Sequence, residues 1–206
     1  MIEGLQGQPV TLALIGLNVL VSFYAFSRFR EGRAPDDVLF EPAEVREGKN
    51  LRGMLWSHFS HADGAHLLFN MLTLYFFGPV VEALGPLALL TIYVFSGVGA
   101  TLATYVSHRN DPDYRALGAS GSVTGVLFSA IVLVPDMRLT IFPIPIPIPA
   151  PLFAIAYLLI SIYAARRRLG NIGHEAHIGG AVTGFLLTGA RVGFAPLFER
   201  LERLLG

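Results

Sequence analysis

Apolar residues run through this chain in long uninterrupted stretches, without the strict alternation of a half-buried strand. Windows free of Asp, Glu, Lys and Arg cover Gln8–Ser27, Gly64–Val81, Ala83–Ser107, Ala116–Pro135, Leu139–Ala165 and the shorter Ala176–Ala190. A helix needs about 20 apolar residues to cross a hydrocarbon core. The pattern therefore predicts six membrane helices, over residues 8–27, 64–82, 84–106, 118–135, 151–165 and 176–191. In the fifth window the run from Phe142 to Pro151 alternates proline. Proline removes backbone donors and clashes with the preceding turn, so the helix is expected to begin near Pro151, and the run itself reads as an extended, polyproline-like loop at the interface. The first window lacks a basic leader and a small-residue cleavage site and is long enough to span, which reads as a retained anchor. Six helices use nearly the whole chain, so residues 1–206 are expected to form a single all-α membrane domain.

Two segments break the apolar pattern. The polar stretch from Arg28 to about His61 joins the first two helices across more than 30 residues, and connections of that length in compact proteins are often functional. At the other end, Phe194, Leu197, Phe198, Leu201, Leu204 and Leu205 recur at helical spacing with Glu199, Arg200, Glu202 and Arg203 between them. That pattern predicts an interfacial amphipathic helix over 194–205.

Composition strengthens the membrane reading. Hydrophobic residues make up 53% of the 206 and charged residues only 15%, against roughly 25% charge in soluble domains; mean hydropathy is +0.56. The lipid bilayer is the expected solvent. With a formal net charge of zero and no basic stripe, nothing points to nucleic acid as a partner. The absence of cysteine excludes disulfides, thiolate catalysis and cysteine-ligated metal.

Polar residues inside membrane helices are costly and are functional candidates by default. Three clusters stand out. In His61-Ala-Asp-Gly-Ala-His66-Leu-Leu-Phe-Asn70, His66 and Asn70 lie four apart on one helical face and offer donors to one point; the alternative is hydrogen-bonded glue between helices. In Gly118-Ala-Ser120-Gly121, a serine flanked by glycines opens a helix, where backbone donors and the dipole favour negative charge. Here the alternative is small-residue packing, since Gly121 and Gly125 form a GxxxG pair. In His174-Glu-Ala-His177-Ile-Gly-Gly180, Gly180 and Gly184 lie on roughly the face of His177 and invite close approach of another helix. If they meet Gly121 and Gly125, Ser120 and His177 face each other at one depth.

A serine hydroxyl needs an adjacent base. His177 supplies one, while no Asp or Glu lies inside an apolar window, so a Ser120–His177 dyad is more economical than a triad. The Ser120 backbone N–H with the His66 and Asn70 side chains are candidate donors to the developing oxyanion. Metal catalysis is the chemical rival, because His58/His61 and His174/His177 have helix-compatible ligand spacing. The HExxH pattern is missing by one residue in His174-Glu-Ala-His177, and no metal or cofactor is expected.

Taken together, in this order and on the second, fourth and sixth helices, the three clusters resemble the rhomboid family of intramembrane serine proteases. The resemblance implies a six-transmembrane-helix bundle of rhomboid type, with Ser120 as nucleophile and His177 as general base in a water-filled cavity below the membrane surface. It also implies His66, Asn70 and the Ser120 backbone at the oxyanion hole. His61 would support the adjoining loop, and Gly118, Gly121, Ala176 and Gly180 would allow close packing. Implied partners are transmembrane protein substrates with small residues at the cut, in a multi-pass protein of a prokaryotic inner membrane; oligomeric state is not implied. Two positions depart from the family's pattern. Many members carry an aromatic residue four after the nucleophile, where this chain has Thr124, and the adjacent Trp-Arg pair often found in the first loop is missing, although Arg52 and Trp56 lie nearby.

Orientation divides the indicators. With the amino terminus in the cytoplasm, as the resemblance implies, cytoplasmic segments would hold four of the 15 cations, Arg138, Arg191, Arg200 and Arg203. The positive-inside rule favours the inverse; the expectation follows the resemblance. The rival function is an inactive relative that binds and routes membrane proteins; such relatives characteristically lack the serine or the histidine. A transporter would show broken helices and internal repeats, which this sequence lacks.

Overall fold

A computed structural model describes residues 8–31, 36–141, 144–170 and 173–206. Their elements run α1 (Pro9–Arg30), α2 (Pro42–Arg46), α3 (Leu51–Trp56), α4 (Gly64–Glu82), α5 (Pro86–His108), α6 (Ser120–Leu133), β1 (Arg138–Ile141), β2 (Ile144–Pro149), α7 (Ala150–Arg167), α8 (His174–Val192) and α9 (Ala195–Leu205). The protein is thus mostly helical, and the six apolar windows carry α1, α4, α5, α6, α7 and α8.

Four of these, α1, α4, α5 and α7, are long and apolar enough to cross a bilayer alone, and α8 reaches that length and composition only together with α9, from which it is bent by 111°. The sixth, α6, has 14 residues. At 1.5 Å per residue it is about 21 Å long, well short of a core of about 30 Å. It can be short because it is sheathed by protein: every residue from Gly121 to Val132 is buried. Its neighbours extend past it. The site of a Cβ on Gly121 falls against Ala100 of α5, and α5 continues eight residues beyond that level to His108, about 12 Å at helical rise.

Glycine faces seat α6 against α8. A Cβ on Gly180 would lie 2.6 Å from the Gly121 carbonyl carbon, and one on Gly184 would lie 2.6 Å from that of Gly125. The two backbones touch with no side chain between them. The other helices are tied by polar contacts that lipid cannot supply. Buried Glu82, at the end of α4, accepts from the N–H groups of Val10 and Thr11 at 2.8 Å each and from the Thr11 hydroxyl at 2.7 Å. A carboxylate thereby caps the positive end of α1. Asn18 of α1 donates to the Tyr93 hydroxyl of α5 at 3.0 Å.

Two segments outside the long helices take a definite form. From residue 36 onward the polar stretch is ordered: α3 is capped by Asn50, which accepts from Gly53 N–H at 3.0 Å, and Val38, Leu39 and Phe40 are buried. Its far end is pinned to α1 by His61, whose Nδ1 lies 2.8 Å from Ser22 Oγ. The proline run is extended, but as β2 of an antiparallel hairpin with β1, pairing Leu139 with Ile148 and Ile141 with Ile144. Alternate residues of a strand face its partner. The prolines at 145, 147 and 149 fall at every second position of β2, and the register shifts between Leu139 and Ile141, a setting of edge and bulge in which a strand tolerates missing donors.

Two predictions follow from this packing. Gly184→Ala overpacks the α6–α8 contact and should lower stability by about 1–3 kcal/mol. Gly16→Ala, where a Cβ meets nothing within 4 Å, should leave the detergent melting temperature unchanged or raised. The second concerns His61, in the segment between α3 and α4, where burial lowers the imidazole pKa from 6.5 to about 3. Below pH 6.5 the unfolded chain binds a proton there that the folded chain refuses, so the contribution is intact above 6.5 and lost as pH falls toward 3. Thermal unfolding between pH 7.5 and 4.5 should show the decline, and His61→Asn should flatten it.

Candidate active site

The residues ahead of α6 are held by the first loop. Phe40 and Ala116 exchange backbone hydrogen bonds at 2.8 and 3.0 Å, and Gly118 N–H donates to the Ser57 carbonyl at 2.9 Å. Gly118 has φ +140°, a region that favours glycine. Space demands glycine as well: a Cβ there would lie 2.6 Å from His66 Cε1, 3.1 Å from His66 Nε2 and 3.6 Å from Ser120 Oγ. The His66 imidazole and the Ser120 hydroxyl thus border the same small space. Ser120 Oγ makes no hydrogen bond among the described residues, and its backbone N–H belongs to the helix's first turn, where no intrahelical acceptor exists.

The first turn of α8 lies against this point. A Cβ on Gly121 would come within 3.2 Å of the Ala176 carbonyl oxygen, so the residues next to that contact, Ser120 and His177, stand on apposed first turns at one depth. His177 Nδ1 is 3.0 Å from the Tyr157 hydroxyl of α7, while Nε2 makes no hydrogen bond among the described residues. Thr124 donates to the Ser120 carbonyl at 2.6 Å and lies 3.5 Å from the Tyr157 hydroxyl.

From α4, the His66 N–H is capped by Asp63 at 2.8 Å. Asn70 Nδ2 donates to the His66 carbonyl at 3.0 Å, so one of its two amide protons is spent within its own helix and one is free for a ligand. The His61 ring stands edge-on to that of His66, centroids 4.9 Å apart, bracing it from the α1 side. The histidine pairs do not converge as ligands. His58 bonds Thr101 at 2.6 Å while His61 bonds Ser22, and His108 sits 3.5 Å from Glu175. Among the described residues no group of three His, Asp or Glu is placed to hold a metal ion.

Tyr157 is the site residue that sequence reasoning missed. It had a signal: a hydroxyl in the middle of an apolar window is a polar group that must find a partner. What the pattern lacked was which helix that partner belonged to.

Comparison with known proteins shows the family. Residues 49–193 match the family model described as the Rhomboid domain. The chain is 30% identical to the rhomboid protease AarA of Providencia stuartii, over 87% of this chain and 71% of that protein. It is 29% identical to the mitochondrial RHOMBOID-like protein 12 of Arabidopsis thaliana, over 87% of this chain but only 57% of that protein's length. It is 38% identical to the chloroplastic Rhomboid-like protein 11 of the same plant, over 63% and 48% respectively. Relatives from organelles as well as bacteria lend no support to a prokaryotic inner membrane in particular. With its apolar helices and a family match that takes in all three polar clusters, this multi-pass integral membrane protein belongs to the rhomboid family.

Proposed function

We propose that the chain is an intramembrane serine endopeptidase acting on membrane-anchored proteins in or beside their transmembrane segments. The observation that carries the reading is the backbone contact of the first turns of α6 and α8, which apposes Ser120 and His177 with the His66 ring at Gly118. Ser120 Oγ attacks the scissile carbonyl carbon as its proton passes to His177 Nε2. The carbonyl oxygen, now an anion, takes hydrogen bonds from the Ser120 N–H, a His66 ring N–H and the free amide proton of Asn70. His177 then returns the proton to the leaving amine, and water, activated by the same imidazole, releases the acyl group from Ser120.

The depth of the site, about 12 Å below the end of α5 by helical rise, suits a substrate bond that must leave its own helix to be reached. The space bordered by Gly118, the His66 ring and Ser120 Oγ is small, which suits small residues at the cut.

Purified protein should cleave a model transmembrane substrate, and a fluorophosphonate should label Ser120 whether or not a chelator is present. Ser120→Ala or His177→Ala should reduce cleavage by about a thousandfold or more, and His66→Ala by about 10²–10³ for the loss of one oxyanion donor. Cleavage retained in both Ser120→Ala and His177→Ala would refute the dyad. Substrate binding without labelling or cleavage would instead assign the chain to the binding and routing class.

A further inference from the structure

We infer that Tyr157 is the positioning residue for His177, and that Thr124 gives its hydroxyl a direction, closing a circuit of hydrogen bonds from the base back to the backbone of Ser120. The inference rests on the reading of Ser120 and His177 as a dyad. Its geometry is independent of that reading: Tyr157 Oη to His177 Nδ1 at 3.0 Å, Tyr157 Oη to Thr124 Oγ1 at 3.5 Å, and Thr124 Oγ1 to the Ser120 carbonyl at 2.6 Å.

Proton counting decides the direction. The Thr124 hydroxyl has one proton, and the short contact to the Ser120 carbonyl spends it, leaving a lone pair toward Tyr157. Tyr157 likewise has one proton. When it turns to Thr124, the phenol oxygen accepts Nδ1–H from His177, and Nε2 is left with the lone pair that a general base requires. When it turns to His177 instead, Nε2 carries the proton and cannot act. Thr124 therefore selects the working tautomer, in the role a carboxylate fills in a triad. No carboxylate competes for it, because Glu175, the acid in the same turn, faces His108.

The tyrosine ring is well placed for this task. It sits between Phe128 and Phe153, with centroids 5.7 Å from each, and runs nearly parallel to the His177 ring at 6.3 Å. At that separation the hydroxyl, rather than ring stacking, makes the close contact. The cost is that the base depends on α7, of whose most apolar stretch only 22% is buried, the least of the four long spans. Between it and α8 and α9 lies an apolar cavity of about 420 Å³ that includes Ala154, Leu158 and Phe185. Outward movement of α7 would break a 3.0 Å bond before it disturbed the α6–α8 contact.

Tyr157→Phe keeps the ring and removes the hydroxyl; Thr124→Val removes the second link. For both variants, the double variant and wild type, the measurements are kcat and KM on a model transmembrane substrate, the fluorophosphonate labelling rate of Ser120, melting temperature, and the ¹⁵N shifts of the His177 imidazole. Tyr157→Phe should lower kcat and labelling roughly tenfold with KM nearly unchanged, the loss expected for one hydrogen bond. Thr124→Val should cost less, and the double variant no more than Tyr157→Phe, since both cut one circuit. The His177 shifts should move toward a tautomer mixture. Wild-type kcat and an unchanged imidazole spectrum in Tyr157→Phe would overturn the inference, as would a loss confined to KM or accompanied by a fall in melting temperature. If wild-type Ser120 never labels, the dyad reading fails by itself, and the imidazole spectrum still decides whether Tyr157 sets the tautomer.

Discussion

Gly121 and Gly125 of α6 meet Gly180 and Gly184 of α8 backbone to backbone, and the rest of the candidate site is arranged around that contact. A single methyl group at Gly180 or Gly184 would fall well inside van der Waals contact with the facing carbonyl, so the helices either lose their side chains at these positions or separate. In lipid there is little hydrophobic gain from pressing one apolar helix on another, and close van der Waals approach supplies the attraction. The same approach sets the depth at which Ser120 and His177 stand, because each lies in the first turn beside it. Packing and chemistry are therefore the same constraint here: the geometry of the pair cannot drift while the glycine faces remain seated.

Two sets of polar groups around this contact differ in what they bond. Glu82, Asn18, Tyr93, His58 and His61 join elements, each making a hydrogen bond to another segment. Ser120 Oγ and His177 Nε2 are left without partners among the described residues, at the place where α6 ends short of its neighbours. Irregular backbone and open donors are tolerated at membrane depth only where protein covers them or water reaches them. The ordered first loop provides the cover, through Phe40 on Ala116 and Ser57 on Gly118.

This division explains what the sequence could and could not disclose. The apolar windows, the glycine spacings on two helices and the Ser120, His66 and His177 clusters are local patterns, and periodicity reads them directly. Tyr157 is not local. It reaches His177 across 20 residues and a helix reversal, and in its own window it looked like one more large apolar side chain. The hairpin escaped for a related reason: proline alternation signals extension, but the pairing depends on the partner strand β1. The short helices α2 and α3 are not legible in their stretch, because its order comes with Leu39 and Phe40 packing inward rather than from helical periodicity of their own.

On the proposed reading of Ser120 as nucleophile and His177 as base, Thr124 is the position at which the sequence raises a difficulty, since many relatives carry an aromatic there. Tyr157 supplies the aromatic from α7, with a consequence that a ring on α6 would not have. A ring four residues from the nucleophile moves with the nucleophile; a ring on α7 moves with the wall of the site. A carboxylate would orient the imidazole more strongly, but at this depth an ionised acid costs about 3 kcal/mol or more to insert, and its charge would have to be paired. A neutral phenol satisfies Nδ1 without that charge and leaves the histidine's other nitrogen open. The weaker hold is thus the form of orientation compatible with a base sunk beneath the helix ends, and it makes the readiness of His177 conditional on where α7 rests.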